Sequence, residues 1–316
     1  MKSICDALLD CENLEEVNLS DNAFGGRSAE PMVNLLSHHK NLNTLKLNNN
    51  GLGIEGGKIV AGALSTLADN HKSKLKTVIC GRNRLENGSS NEWALAFSKH
   101  AETLECVKIP QNGIRPEGIT NIVNGLKDCK NLEELDFQDN TLTKVGSLSV
   151  SNVMKNLTSL KVLNLSDCLT GGKGGIEIGK VLASGYLKNL EILRLQFNEW
   201  DERALKFLSE FVEKFGQKLS TLEINGNRAD PDDDVIESIR EHLSNHGHPN
   251  ALDELDEMEE YDPEDLEEDE DEQQDDEDKE SEDEQKDEKP KDDEKQKDEK
   301  ASGIDDLADQ LAGTKI

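Results

Sequence analysis

The sequence predicts an α/β solenoid, in which one parallel sheet lines the inner face of an arc and helices cover the outer face. Three observations predict it. Leucines recur at a nearly constant interval, an asparagine follows almost every one at a fixed distance, and helical spacing fills the stretch between units. The anchors are Leu14, Leu42, Leu75, Leu104, Leu132, Leu160, Leu190 and Leu219, separated by 28, 33, 29, 28, 28, 30 and 29 residues.

Each unit opens with the pattern L-x-x-L-x-L-x-x-N, as in "LEEVNLSDN", "LNTLKLNNN", "LEELDFQDN" and "LEILRLQFN". Offsets 0, 3 and 5 from the anchor place apolar side chains on the inward face of a short strand and the turn after it, where stacked units share a core. Offset 8 is Asn22, Asn50, Asn83, Asn112, Asn140, Cys168, Asn198 and Asn227. An amide inside the turn can pair backbone groups that would otherwise be buried unsatisfied, at a cost of roughly 1–3 kcal/mol each. This is the leucine-rich-repeat signature, at the unit length of the ribonuclease-inhibitor class. The second half of a unit, such as "GGKIVAGALSTLADN", puts Ile59, Ala63 and Leu67 on one helical face.

The repeat also explains a tempting motif. Gly51, Gly53 and Gly56 in "LNNNGLGIEGG" fit G-x-G-x-x-G, the dinucleotide fingerprint, between a strand and a helix. Glycines recur in the same frame in "NAFGG", "NGIRPEG" and "CLTGGKGG", and no acidic residue ends a second strand after "LKTVICGRN". The motif is repeat punctuation, and no cofactor is expected.

Of the 316 residues, the acidic ones concentrate at the end. From Ala251 onward there are 33 acidic and 8 basic residues, net −25, against a net of −6 over the first 250. The expected organisation is a remnant helix of an upstream repeat (1–13), eight repeats with a C-terminal cap (14–250), an acidic disordered tail (251–300) and a short motif (301–316) with Ile304, Leu307 and Leu311 at helical spacing. So acidic a chain lacks the basic footprint that nucleic acid requires. No apolar run is long enough to cross a bilayer, and Asp6, Asp10 and Glu12 interrupt what would be a signal sequence. Six cysteines without a C-x-x-C pair suggest free thiols in a reducing compartment. His242, His246 and His248 suggest a solvated helix end rather than a metal site.

Positions that stacking leaves unexplained are the candidates for function. Offset 7, at one edge of the arc, is Asp21, Asn49, Arg82, Gln111, Asp139, Asp167, Phe197 and Gly226. An ordinary polar rim accounts for such a row as well as a binding edge does. The third unit departs most, because "CGRNRLENGSSNEW" sets Arg82 and Arg84 beside Asn49 on an otherwise acidic molecule. A basic pair next to an amide suggests a partner contact.

The strings "LSDNAFG", "NNGLG", "CGRNRLENGS", "NGIRPEG" and "LNLSDC", the junction "NGNRADPDDDVIESIRE" and the acidic tail resemble the Ran GTPase-activating proteins, particularly the fungal form. The resemblance runs over essentially the whole chain. It implies a regulator, not itself an enzyme, that docks on Ran-GTP and speeds hydrolysis by ordering Ran's own glutamine, without an arginine finger. It carries over Asn49 as the residue that positions that glutamine, and Arg82, Arg84, Asp139 and Asp167 as partner contacts. It further implies a role in nucleocytoplasmic transport, in the cytoplasm or at the cytoplasmic face of the nuclear envelope. Ran-binding proteins or transport-receptor complexes are implied as partners of the acidic tail.

The resemblance also implies repeats upstream of "LSDNAFG", including an arginine-bearing segment with no counterpart here. Met1 opens inside what resembles the helix of the preceding repeat. The alternative reading is a passive binder of histones or other basic proteins, since acidic tails accompany leucine-rich arcs there too. Units of 28–30 residues are long for that class.

Overall fold

The computed structural model describes residues 1–259, and these form an eight-stranded, wholly parallel sheet with strand order 1 to 8. The strands are β1 (Glu16–Asn18), β2 (Thr44–Lys46), β3 (Thr77–Ile79), β4 (Cys106–Lys108), β5 (Glu134–Asp136), β6 (Val162–Asn164), β7 (Ile192–Arg194) and β8 (Thr221–Glu223). Each begins two residues after its anchor leucine, and register is kept from repeat to repeat, as in Val17 opposite Leu45 and Leu45 opposite Val78. The helices are α1 (Lys2–Leu9), α2 (Ala29–His38), α3 (Gly53–Asn70), α4 (Ser90–Lys99), α5 (Pro116–Leu126), α6 (Thr143–Met154), α7 (Gly171–Ala183), α8 (Glu202–Phe215) and α9 (Asp234–Asn245), each packed on its sequence neighbours. The 33-residue interval is absorbed by α3, which has 18 residues where α2 and α4 have 10.

The core follows the anchor frame. Leu45 and Leu47, Val107 and Ile109, Leu193 and Leu195 are all buried, continuous with the inner faces of the helices. In α3 the buried stripe keeps the expected Ala63 and Leu67 and adds Val60 and Leu64, while the expected Ile59 is only partly covered.

A ladder of amides runs under the turns. Asn50 Nδ2 donates to the carbonyls of Leu19 (2.9 Å) and Leu47 (3.0 Å), and its Oδ1 accepts from the Asn22 N–H. The Asn50, Asn83 and Asn112 N–H groups donate in turn to the Oδ1 of Asn83, Asn112 and Asn140, at 3.1, 2.9 and 3.2 Å. Cys168 interrupts the amides, with its thiol directed to the Phe137 and Ser166 carbonyls, and the ladder resumes at Asn198 and Asn227. Burial pushes the Cys168 thiol up to about 12, so it serves as a neutral, compact filler.

Two expectations are corrected. The ordered chain does not stop at 250: Leu252 bridges to Leu222 in parallel, Ala251 and Leu255 are buried, and the Glu259 N–H donates to the Asn227 carbonyl. Nor is the end of α9 simply solvated, because His246 Nε2 donates to the Val212 carbonyl (2.9 Å) and His248 Nε2 to the Gln217 carbonyl (3.1 Å). Histidines elsewhere do the same work between repeats: His39 reaches the Cys11 carbonyl and His100 the Leu64 carbonyl. The expected disordered tail from 260 to 300 and the motif at 301–316 lie outside the described residues.

Candidate functional site

The rim is built by one backbone device repeated eight times. Every offset-7 residue adopts a left-handed conformation: Asp21, Asn49, Arg82, Gln111, Asp139, Asp167 and Phe197 have φ between +54° and +62°, and Gly226 has +71°. This twist turns the chain out of the sheet, so the next residue, the ladder amide, faces inward. Asn49 is exposed while Asn50 is buried, and Arg82 is exposed while Asn83 is buried. The N–H of each rim residue from Asp21 to Phe197 donates to the next repeat, Asn49 to Gly81 O (2.9 Å) and Arg82 to Pro110 O (2.9 Å), which fixes the row.

Asparagine and aspartate tolerate this conformation, but for most other residues it costs roughly 1–2 kcal/mol. Arg82, Gln111 and Phe197 therefore stand where local energetics favour something else. Arg84 repeats the case at offset 9, with φ +56° where neighbouring repeats have Gly51 at +64° and Gly113 at +66°. Residues held against their backbone preference concentrate at sites kept for binding or catalysis.

Four of the five sequence-predicted residues share the row, and Arg84 stands two positions beyond it. Asn49 donates through Nδ2 to Asp21 Oδ1 at 3.1 Å, and its Oδ1 has no partner among the described residues. Neither Arg82 nor Arg84 makes a side-chain hydrogen bond or ion pair among the described residues. They are two uncommitted cations on a strongly acidic molecule.

Arg84 lines an open depression of about 500 Å³ with Glu86, Asn87, Gln111, Arg115 and Thr141. Asp139 and Asp167 line a second, of about 230 Å³, with Gln111, Thr141 and Leu169. The Asp167 carboxyl is raised by partial burial and then by the neighbouring Asp139 charge. Gln111, Gly113 and Thr141 border both depressions, so basic and acidic regions adjoin along one edge. Asn49 belongs to neither. The arrangement is an extended strip suited to a macromolecular surface, not a chamber that encloses a small molecule.

Several rim residues escaped the sequence reading. Arg115 sits at the start of α5, its N–H donating to Asn87 Oδ1 at 2.8 Å, inside the string "NGIRPEG" that carried part of the resemblance. Leu169 and Phe197 are exposed apolar residues on the same edge. An apolar residue in a leucine-rich chain gives no signal of exposure, and only the offset-7 frame pointed to Phe197.

The concave face of the sheet is a lattice of cross-strand ion pairs: Lys46 with Glu16, Lys76 with Glu105, Lys161 with Glu133 and Arg194 with Glu223, at 2.8 to 2.9 Å. Most acids there are already matched, unlike the charges of the rim. Burial raises the Asp136 carboxyl on this face, where it accepts from the Gln138 N–H at 3.0 Å.

A family model described as "Leucine Rich repeat" matches residues 10–33 and 128–149. Ran GTPase-activating protein 1 of Saccharomyces cerevisiae is 42% identical over 248 residues, covering 76% of this chain and 61% of the relative. Ran GTPase-activating protein 2 of Caenorhabditis elegans is 46% identical over 112 residues, covering 33% of this chain and 12% of its own length. Ran GTPase-activating protein 1 of Xenopus laevis is 43% identical over 122 residues, covering 36% and 21% respectively. The chain thus spans about 61% of the length of the yeast relative, and far less of the animal ones. The amide ladder and the parallel sheet make the described residues a leucine-rich-repeat solenoid, and the chain is similar in sequence to the Ran GTPase-activating proteins over the stretches given above.

Proposed function

We propose that this chain is a GTPase activator for Ran, docking on the GTP-bound form through its rim and leaving the hydrolysis chemistry to the GTPase. The identity to the yeast relative over three-quarters of the chain supports the partner. The observation that carries the role of the site is Asn49, an exposed amide held by its left-handed backbone beside a buried structural twin, Asn50. A primary amide donates and accepts at once, so it matches another primary amide, such as a glutamine side chain. Clamping the GTPase's own glutamine orients the attacking water before the transition state is reached, and removes rotational freedom otherwise lost at the barrier. Activators of small GTPases supply about 10⁵ in rate, roughly 7 kcal/mol of barrier.

Arg82 and Arg84 would meet acidic groups on the GTPase, and Asp139 and Asp167 basic ones. The working place is the cytoplasm, including the cytoplasmic face of the nuclear envelope, where such an activator keeps Ran in its GDP form and gives nuclear transport its direction. The acidic segment beyond residue 259 would attract basic surfaces of Ran-binding proteins or transport receptors, an attraction that salt weakens.

Single-turnover hydrolysis of GTP by Ran, with and without the protein, tests the reading. Wild type accelerates hydrolysis, and Asn49→Ala lowers the rate at saturating activator by about 10²-fold or more, on the scale of a lost transition-state contact. Absence of acceleration by wild type would sink the activator role. An Asn49→Ala variant that matches wild type at saturation would reduce Asn49 to an ordinary rim residue.

A further inference from the structure

Beyond the amide and the charges, the rim carries an apolar step. Leu169 is 53% exposed with φ +51°, and Phe197 is 44% exposed with φ +54°. Each is doubly unfavourable where it stands: a large apolar side chain in water, on a left-handed backbone that suits asparagine or glycine. The other repeats show that the fold requires neither residue, since offset 7 is elsewhere filled by polar residues or glycine, and offset 9 by Ala23, Gly51, Arg84, Gly113, Thr141, Glu199 or Arg228, none of them a large apolar residue.

The step is packed against the next repeat and continuous with the proposed binding edge. A Cβ added at Gly226 would fall 2.2 Å from a ring carbon of Phe197, so the ring lies against the backbone of the next repeat, and glycine there makes room for it. The Asp167 N–H donates to the Gln196 carbonyl at 2.8 Å, which sets Phe197 one repeat beyond Asp167 along the rim. Leu169 shares its depression with Asp139 and Asp167. These two carboxylates form no ion pair among the described residues, and partial burial and then the Asp139 charge raise the Asp167 carboxyl.

We infer that Leu169 and Phe197 are an apolar docking anchor for the GTPase, taking an apolar side chain flanked by a lysine or arginine that meets Asp139 and Asp167. The inference rests on the activator reading above. An apolar contact beside two uncompensated carboxylates selects a surface that is apolar and basic together, and repels an acidic one. Apolar contacts ringed by polar groups that exclude water can hold a disproportionate share of binding energy in protein interfaces. The anchor and Asn49 have separable jobs, residence on the partner and action on its glutamine.

The test uses the full chain with Leu169→Asn, Phe197→Asn and both together, since asparagine keeps the left-handed backbone. Affinity for Ran loaded with a non-hydrolysable GTP analogue is measured by biolayer interferometry. The activator concentration giving half-maximal hydrolysis is measured in parallel. Each single change is expected to weaken binding and raise that concentration at least about tenfold, with no fall in thermal midpoint. Leu95→Asn, on the exposed face of α4, is expected to do neither. Affinities of the Leu169 and Phe197 variants within twofold of wild type would overturn the anchor while leaving the activator reading intact. An equal loss with Leu95→Asn would also overturn it, because the effect would then not belong to the rim. Failure of wild type to bind at all would remove the activator reading, and this one with it.

Discussion

Replacing Asn140 by alanine probes the amide ladder where its role can be worked out atom by atom. The side chain donates to the carbonyls of Phe137 (2.8 Å) and Ile109 (3.1 Å), and accepts from the N–H groups of Asn112 (3.2 Å) and Ile114 (3.1 Å). The losses are unequal. Ile109 O keeps the Asn112 amide at 2.9 Å and Phe137 O keeps the Cys168 thiol at 3.4 Å, so neither carbonyl is orphaned. The Asn112 and Ile114 N–H groups have no second acceptor, and each unpaired buried donor costs roughly 1–3 kcal/mol. The expected destabilisation is therefore about 2–6 kcal/mol, reduced toward the lower end if water enters the space that the amide vacates. Urea unfolding followed by circular dichroism reads it as a lower midpoint at unchanged slope. Asn49→Ala is the paired comparison: it orphans no buried group, loses one exposed contact to Asp21 and sets alanine on a left-handed backbone, so it should cost only about 1–2 kcal/mol. Equal midpoints for Asn140→Ala and wild type would refute the ladder as a structural device.

His100 is buried, donating to the Leu64 carbonyl at 2.8 Å, and burial holds its imidazole below the ordinary histidine range. The unfolded chain binds the proton more readily, so stability should be full above about pH 6.5 and fall as pH drops through the histidine range, by at most about 1.4 kcal/mol per pH unit. The raised carboxyls of Asp136, Asp167 and Asp253 have the opposite sign and act in the carboxylate range. A His100→Gln variant that keeps the full wild-type loss between pH 7 and 5.5 would contradict the assignment. Brief alkylation of the native protein should label exposed Cys11 long before Cys80 or Cys168, whose buried thiols are pushed up to about 12. Peptide mapping that finds Cys168 modified as fast as Cys11 would count against the packed turn. Gly226→Ala must displace the Phe197 ring from a Cβ only 2.2 Å away and strain a backbone at φ +71°. It should destabilise by about 1–3 kcal/mol, and an unchanged thermal midpoint would show that the ring is not held there.

Sequence reasoning reached the sheet because a solenoid repeats its constraints. An inward leucine and an interior amide recur in each unit, and the period survives one 33-residue interval because the excess enters α3. The rim row was legible for the same reason, as whatever precedes the amide. Its left-handed backbone was not, since Arg82, Arg84 and Phe197 are not residues that announce that conformation. The histidine bridges were missed because a histidine at a helix end looks solvated until the preceding helix is placed beside it. Composition misled once: Asp253, Asp256 and Glu257 look like the start of a solvated acidic run, yet all three are engaged with the last turn of the solenoid.

That last turn shows how the open end of β8 is closed. One Asp253 oxygen accepts from the Ile224 N–H at 3.0 Å, and the other from the Asn225 N–H at 3.1 Å and the Gln196 amide at 3.0 Å. The carboxylate occupies the Ile224 N–H, the group that in earlier repeats donates to the next strand, as the Leu195 N–H does to the Glu223 carbonyl. Where charge composition alone invites a cut, after residue 250, truncation would strip this stopper and leave a growing end for edge-to-edge polymerisation. A deletion meant to isolate what the acidic segment contributes should therefore begin after Glu259, and fibres or oligomers from a shorter chain would report the lost stopper rather than the lost charge.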